Sequence, residues 1–131
     1  MQITGIILAG GKSSRMGTDK ALIKMGDKNL LENAIEICKP VCKSIIISSN
    51  NPEHAKYGYP VIHDEIKDCG PLGGIYSCLK QSVTDLNFII SVDTPFVTSE
   101  FIQFLSTQSE NYDLVVPVHL NGKEPLIALY N

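Results

Sequence analysis

The sequence has no long apolar run. Its unbroken hydrophobic stretches are only a few residues each, far short of the ~20 that a membrane-spanning helix needs, so no span and no membrane partner are expected. Met1-Gln2-Ile3-Thr4 carries no basic segment, so no secretion signal is expected. Positive charge is not in excess. Lys and Arg number 11 against 14 Asp and Glu, a net charge of −3. A broad nucleic-acid face is therefore not expected, though a local phosphate pocket stays open. Cysteine is sparse and unpatterned. Cys38, Cys42, Cys69 and Cys78 stand at gaps of 4, 27 and 9, with neither C-x-x-C nor paired zinc knuckles. The expectation is reduced thiols in a cytoplasmic setting, without structural zinc or a disulfide framework.

Three common catalytic signatures are missing as well. Gly11-Lys12-Ser13 looks like the end of a phosphate-binding P-loop, but Ile6 stands where that motif needs glycine, and Gly5 is one place off. The glycines at 10, 11 and 17 do not make G-x-G-x-x-G, so an ordinary dinucleotide site is not expected. No Ser/His/Asp arrangement suggests a hydrolase. His54 and His119 read as surface residues, and His63 has no matching His or Cys cluster.

What is present is a globular composition, 44% apolar and 19% charged over 131 residues, enough for one domain with one core. Strand-like and helix-like segments alternate. Ile3-Thr4-Gly5-Ile6-Ile7-Leu8-Ala9 reads as a buried strand ending in Gly10-Gly11. Leu30, Leu31, Ala34, Ile35 and Cys38 share a helical face, and Pro40 ends that helix. Ser44–Ser48 and Val61–Ile62 read as a second and a third strand. Leu72, Ile75, Leu79 and Val83 have helical spacing after Gly70-Pro71. Residues 88–92 form a fourth strand, and Thr98 can cap a helix carrying Phe101, Ile102 and Leu105. Residues 113–120 and 123–130 read as a hairpin around a type I′ turn at Asn121-Gly122. The pattern predicts a three-layer α/β/α sandwich, Rossmann-like, with a mostly parallel sheet and an antiparallel hairpin strand near its end.

Ligands of such sheets bind outside the carboxyl ends of the strands. The chemistry-bearing residues fall there: Gly10-Gly11 after the first strand, Asn50 after the second, Asp64 after the third and Asp93 after the fourth. Residues 12–27 are polar and glycine-punctuated, too long for a simple strand-to-helix turn, which marks them as functional. Adjacent glycines let backbone N–H groups approach an anion. Arg15 and Lys20 add a guanidinium fork and a point charge, which suits a polyphosphate. Asp93, at a strand end and soon followed by Pro95, is a candidate Mg²⁺ ligand or else a turn aspartate. Gly70-Pro71-Leu72-Gly73-Gly74 permits close approach of a ring or a phosphate, or simply tight helix–sheet packing. Asp64 can accept hydrogen bonds from a ligand or sit in a turn.

Together these blocks resemble the molybdenum cofactor guanylyltransferases, the molybdopterin-guanine dinucleotide biosynthesis protein A family, within the nucleotidyltransferases of nucleotide-diphosphosugar-transferase fold. The likeness runs over residues 3–130. It rests on Leu8-Ala9-Gly10-Gly11, Arg15-Met16-Gly17, Asp19-Lys20, Gly70-Pro71-Leu72, Asp93-Thr94-Pro95 and Pro125-Leu126-Ile127-Ala128-Leu129-Tyr130. Asp19-Lys20 and Asp93-Thr94-Pro95 tilt it toward guanylyl transfer; related cytidylyltransferases more often read Leu-Ala-Ala-Gly in the first block. The resemblance implies transfer of GMP from GTP to molybdopterin-bound molybdenum, with release of pyrophosphate. It implies that Leu8, Ala9 and Gly10, with Gly11 beside them, hold the nucleotide and that Lys20 holds its phosphates. Asn50 and Asp64 would line the guanosine side, with Gly70, Pro71 and Leu72 close by. Arg15 would face the leaving pyrophosphate, and Asp93 would bind Mg²⁺. It also implies transient contact with other cofactor-biosynthesis proteins or molybdoenzymes. Family chains continue past the strand matching Leu126 to Tyr130, with further helices and a late Asn-Thr-Pro segment. The expectation is thus a single nucleotidyltransferase domain over residues 1–131, without the family's C-terminal part. Cytidylyl transfer, sugar-nucleotide synthesis and a non-catalytic nucleotide-binding module stay open as alternatives.

Overall fold

A strand buried at every position needs neighbours on both edges and cover on both faces, and Ile3–Leu8 (β1) is buried at all six positions. The computed structural model describes residues 2–9, 22, 24–49, 51–63, 71–84, 86–92, 98–107, 114–115, 118–119, 122–123 and 127–130. After β1 come β2 (Lys24–Met25), β3 (Lys28–Asn29), α1 (Leu30–Cys38), β4 (Ser44–Ser48), a 3₁₀ helix (Pro52–Tyr57) and β5 (Val61–Ile62). They are followed by α2 (Pro71–Gln81), β6 (Leu86–Ser91), α3 (Ser99–Thr107), β7 (Leu114–Val115), β8 (Val118–His119), β9 (Gly122–Lys123) and β10 (Ile127–Tyr130). No helix among the described residues is long and apolar enough to cross a membrane.

The main sheet has the order β5-β4-β1-β6-β10-β7. β4 and β6 both pair with β1 in parallel, and β5 pairs with β4 in parallel. β10 runs antiparallel to β6 and to β7. Alternate residues of each strand feed two cores, as the two-residue period of a strand requires. On one face Ile3 and Ile7 of β1 and Phe88 and Ile90 of β6 pack with α1 and with Ile102 of α3. On the other, Ile6, Leu8, Ile46 and Ile89 pack with Ile75 and Cys78 of α2. This is the α/β/α sandwich expected from the sequence.

Local chemistry fixes the helix ends. Asn29 caps α1: its Oδ1 accepts from Glu32 N at 2.7 Å, and its own N–H donates to Glu32 Oε1 at 3.1 Å, a reciprocal capping box. Asn29 Nδ2 also donates to Tyr57 O–H at 2.8 Å, tying the cap to the 3₁₀ helix. At the other end Lys39 N donates to Ile35 O and Cys42 N to Cys38 O, and Pro40, which has no N–H, stands in the turn between them. Thr98 Oγ1 accepts from Phe101 N at 3.2 Å, so Thr98 caps α3 as its sequence suggests. Ser99 Oγ donates to Ile37 O at 2.7 Å, joining the start of α3 to the end of α1.

Four sequence expectations are corrected. Val83 is not on the α2 face: the helix ends at Gln81, and Val83 is 80% exposed. The fourth strand is Leu86–Ser91 rather than residues 88–92, because the buried polar Asn87 hides its start from an apolar-run criterion. Residues 24–29 form a hairpin that begins inside the expected loop of residues 12–27 and runs past its end, its Gly26 at φ 70°, in the region primed two-residue turns demand. The C-terminal hairpin is split. Leu129 pairs with Val115, whereas Val118 pairs with Lys123 and His119 with Gly122. Gly122 is thus a strand residue and not part of an Asn121-Gly122 turn. Pro117 and Pro125 fall in the intervening sequence, and neither can donate to a continuous ladder.

Gly5 shows how closely α1 approaches the sheet. A Cβ there would lie 3.0 Å from Cys38 Sγ, 3.1 Å from Cys42 Sγ and 3.2 Å from Cys38 Cβ. These separations are tighter than ordinary contacts, so a methyl group would require the Cys38 and Cys42 side chains to give by a few tenths of an ångström. Gly5→Ala is expected to destabilise the fold by about 1–3 kcal/mol, measured as the shift in urea midpoint. An unchanged midpoint would mean that the end of α1 yields freely.

Candidate functional site

Strand order alone locates one crevice. The chain leaves β1 toward β4 and β5, then returns through α2 to β6 on the other side of β1. Adjacent parallel strands whose connections depart in opposite directions leave an opening outside their carboxyl ends. Here that switch point lies between β1 and β6.

Backbone hydrogen bonds tie the carboxyl ends of four strands into one rim. Ala9 N donates to Ser48 O at 2.9 Å, Val92 N to Leu8 O at 3.2 Å and Ser49 N to Ile62 O at 3.1 Å. Ala9, Ser49, His63 and Val92 are the chain neighbours of Gly10, Asn50, Asp64 and Asp93. Those four lie outside the described residues, as do Gly11, Arg15, Lys20 and Gly70.

The site residues that are described have definite places. Leu8 ends β1 and Ala9 follows it, with 7% and 6% exposure. The Leu8 carbonyl and the Ala9 N–H are spent in the sheet, so those atoms set the rim's position and are not open to a ligand. Pro71 and Leu72 are the first residues of α2; proline suits a first helical position, where no N–H bond is lost. Among the described residues no group of three or more His, Cys, Asp or Glu side chains could hold a metal ion.

Sequence reasoning missed the support beneath the rim. Ser49 is 2% exposed, and its Oγ accepts from Asn51 N at 2.9 Å, linking the end of β4 to the start of the 3₁₀ helix. Asn51 Oδ1 then accepts from Glu53 N at 3.0 Å and caps the 3₁₀ helix. The Asn51-Pro52 dipeptide was the available signal, a capping residue followed by proline. His54, expected at the surface, is 1% exposed on that helix, because the helix turns one side of itself inward beside Tyr57. His63 is exposed. Cys38, Cys42 and Cys78 are thiols, as expected; Cys69 lies outside the described residues.

The family described as "MobA-like NTP transferase domain" matches residues 5–131. A probable molybdenum cofactor guanylyltransferase of Carboxydothermus hydrogenoformans is 35% identical over 128 residues, covering 98% of this chain and 65% of that protein. One from Pelotomaculum thermopropionicum is 36% identical over 132 residues, covering 100% of this chain and 64% of its own length. The crystal structure of molybdopterin-guanine dinucleotide biosynthesis protein A from Archaeoglobus fulgidus superposes with a TM-score of 0.77 at 25% identity, covering 97% of this chain and 66% of that one. The chain thus spans just under two thirds of the length of these curated relatives.

Ser49→Ala removes an acceptor and leaves the Asn51 N–H part-buried without it. The fold is expected to lose about 1–2 kcal/mol, read by chemical unfolding. A neutral substitution would show that water replaces the hydroxyl at no cost.

Proposed function

The chain belongs to the MobA-like NTP transferase domain family, and from that membership we propose that it is the nucleotide-binding and catalytic portion of a molybdenum cofactor guanylyltransferase. It transfers GMP from GTP to molybdopterin-bound molybdenum and releases pyrophosphate. The observation that carries this reading is the tied rim at the β1/β6 switch point, from which the Leu8-Ala9-Gly10-Gly11 block departs. Residues 1–131 act as a single nucleotidyltransferase domain, in the cytoplasm, with small-molecule substrates and no nucleic acid. Contact with other cofactor-biosynthesis proteins or molybdoenzymes belongs to the same reading.

Little proton chemistry is required of the protein. The acceptor is a phosphate monoester whose second pKa is about 6, so it is largely a dianion at neutral pH. What remains is alignment and charge neutralisation. In this reading the backbone after Ala9, through Gly10 and Gly11, cradles the nucleotide, and Lys20 takes its phosphates. Arg15 and Lys20 stabilise charge as it develops on the leaving pyrophosphate. Asn50 and Asp64 line the guanosine side, and the Gly70-Pro71-Leu72 segment closes beside it.

The donor chemistry fits magnesium. Asp93 follows Val92, whose N–H is bonded to the end of β1, and a carboxylate is the hard oxygen donor that Mg²⁺ takes alongside substrate phosphates. When bound, the ion supplies charge neutralisation at those phosphates.

Thermal shifts with GTP, CTP, ATP and UTP in Mg²⁺ test the base. GTP should stabilise most, by about 2.7 kcal/mol at ~100 times its Kd. Equal shifts for all four would sink the guanine assignment and leave the fold intact. Asp93→Asn separates a metal site from a turn residue. The variant should fold, lose the Mg²⁺-dependent part of the GTP shift, and lower pyrophosphate release with GTP and acceptor by about 10²–10³. A folded variant with a full Mg²⁺-dependent shift would place the metal elsewhere.

A further inference from the structure

We propose that a cavity beside the outer edge of β4, on the amino side of the rim, binds a small amphipathic anion: an apolar body carrying one oxyanion head. The cavity, partly open to solvent, has a volume of about 630 Å³, within the ~300–1,000 Å³ of small-molecule sites. It lies between the residues following α1, the amino half of β4 and the exit from α2.

Two independent features give it this character. The first is a shortfall of strand pairing. β5 pairs only with Ile47 and Ser48, so residues 44–46 of β4 have no strand on their outer side among the described residues. Ile45 and Ile46 line the opening where a neighbour would otherwise stand, and Ile62 and Val83 continue the apolar wall. Val83, 80% exposed, is left bare by the end of α2.

The second feature is charge of one sign. Lys39 and Lys43 line the cavity, and none of its described lining residues is acidic. Lys43 Nζ donates to Gln2 Oε1 at 3.2 Å, a neutral amide that leaves the ammonium charge uncompensated. A helix C-terminus favours cations by itself, but that does not explain an apolar wall facing them. Ammonium groups act as point charges and ask no planar, two-pronged geometry of their partner. A single carboxylate or phosphate head satisfies them, and the wall takes the apolar body. The site shares no lining residue with the proposed nucleotide site, so it stands or falls separately from the proposed activity.

Cys42 sits between the lysines in sequence and also lines the cavity, which provides a reporter. Cys38 does not compete for reagent. It is fully buried, and its hydrogen bond to Cys42, together with burial, holds its thiol well above the usual cysteine range.

The experiment follows alkylation of Cys42 by iodoacetamide in the whole chain, quantified on its peptide by mass spectrometry. The probes are hexanoate, hexyl phosphate and hexanol, which share a short alkyl body and differ in the head. An anion at ~10 times its Kd should slow alkylation about tenfold by mass action, while hexanol should not. Lys39→Gln with Lys43→Gln should abolish the protection and leave the Tm unchanged, since both side chains are exposed. Protection by both anions, or by either alone, supports the site and identifies the head it prefers. Failure of both anions to protect, equal protection by hexanol, or protection that survives in the folded double variant overturns the proposal.

Discussion

A central strand that keeps no surface for water dictates what can surround it. β1 is bonded along its length to β4 on one side and β6 on the other, and its two faces feed separate cores. At its carboxyl end the same pairing continues through Ala9 N to Ser48 O and Val92 N to Leu8 O. Moving β1 by one residue would turn Ile6 and Leu8 toward the face that now holds Ile3 and Ile7, so its register is set by burial on both sides. The bonds from Ala9 and Val92 follow from that register. So does the close approach at Gly5, where a Cβ would press on the sulfur atoms of Cys38 and Cys42.

Much of this was legible because burial writes itself into sequence most clearly where it is uniform. β1, β4 and β5 are short apolar runs bounded by breakers, and each was read within a residue of its observed span. α1 was readable from its stripe and from Pro40. The failures have local causes. β6 begins with a leucine and a buried asparagine, Leu86-Asn87, so its start broke the apolar criterion. Asn-Gly is a strong hairpin signal, yet Gly122 entered the ladder, where pairing across prolines could not run continuously. His54 looked like a surface histidine because its burial depends on a 3₁₀ helix folding back toward the core, a tertiary event with no periodic signature.

The candidate site divides differently. Its location was legible, because strand carboxyl ends could be counted along the sequence and the observed strand order puts the switch point among them. The roles of Arg15, Lys20 and Asp93 came from residue type and family likeness, and those residues lie beyond the described segments. The Ser49–Asn51 hydrogen bond was not legible as support, since a serine hydroxyl bonding two residues on is one of several options open to that side chain. The cavity beside β4 had no sequence signal at all. It exists because β5 is two residues long where β4 is five, a mismatch visible only once the strands are paired.

The committed backbone at the end of β1 has a chemical consequence. An anion cradle needs N–H groups that no sheet partner has already taken. The Ala9 N–H is bonded to Ser48, so the first N–H groups that can serve lie after it, and the sequence there is Gly10-Gly11. Glycine at those positions removes the Cβ that would hold a ligand away from the backbone. The proposed function thus puts the division between sheet and cradle between Ala9 and Gly10, where the side chains shrink to hydrogen. Residues up to Ala9 fix the position of the rim, and the proposed function assigns the binding to the residues that follow. Under the proposed function, fixed donors delivered by a rigid strand would stabilise charge developing on a leaving group with little reorganisation during reaction.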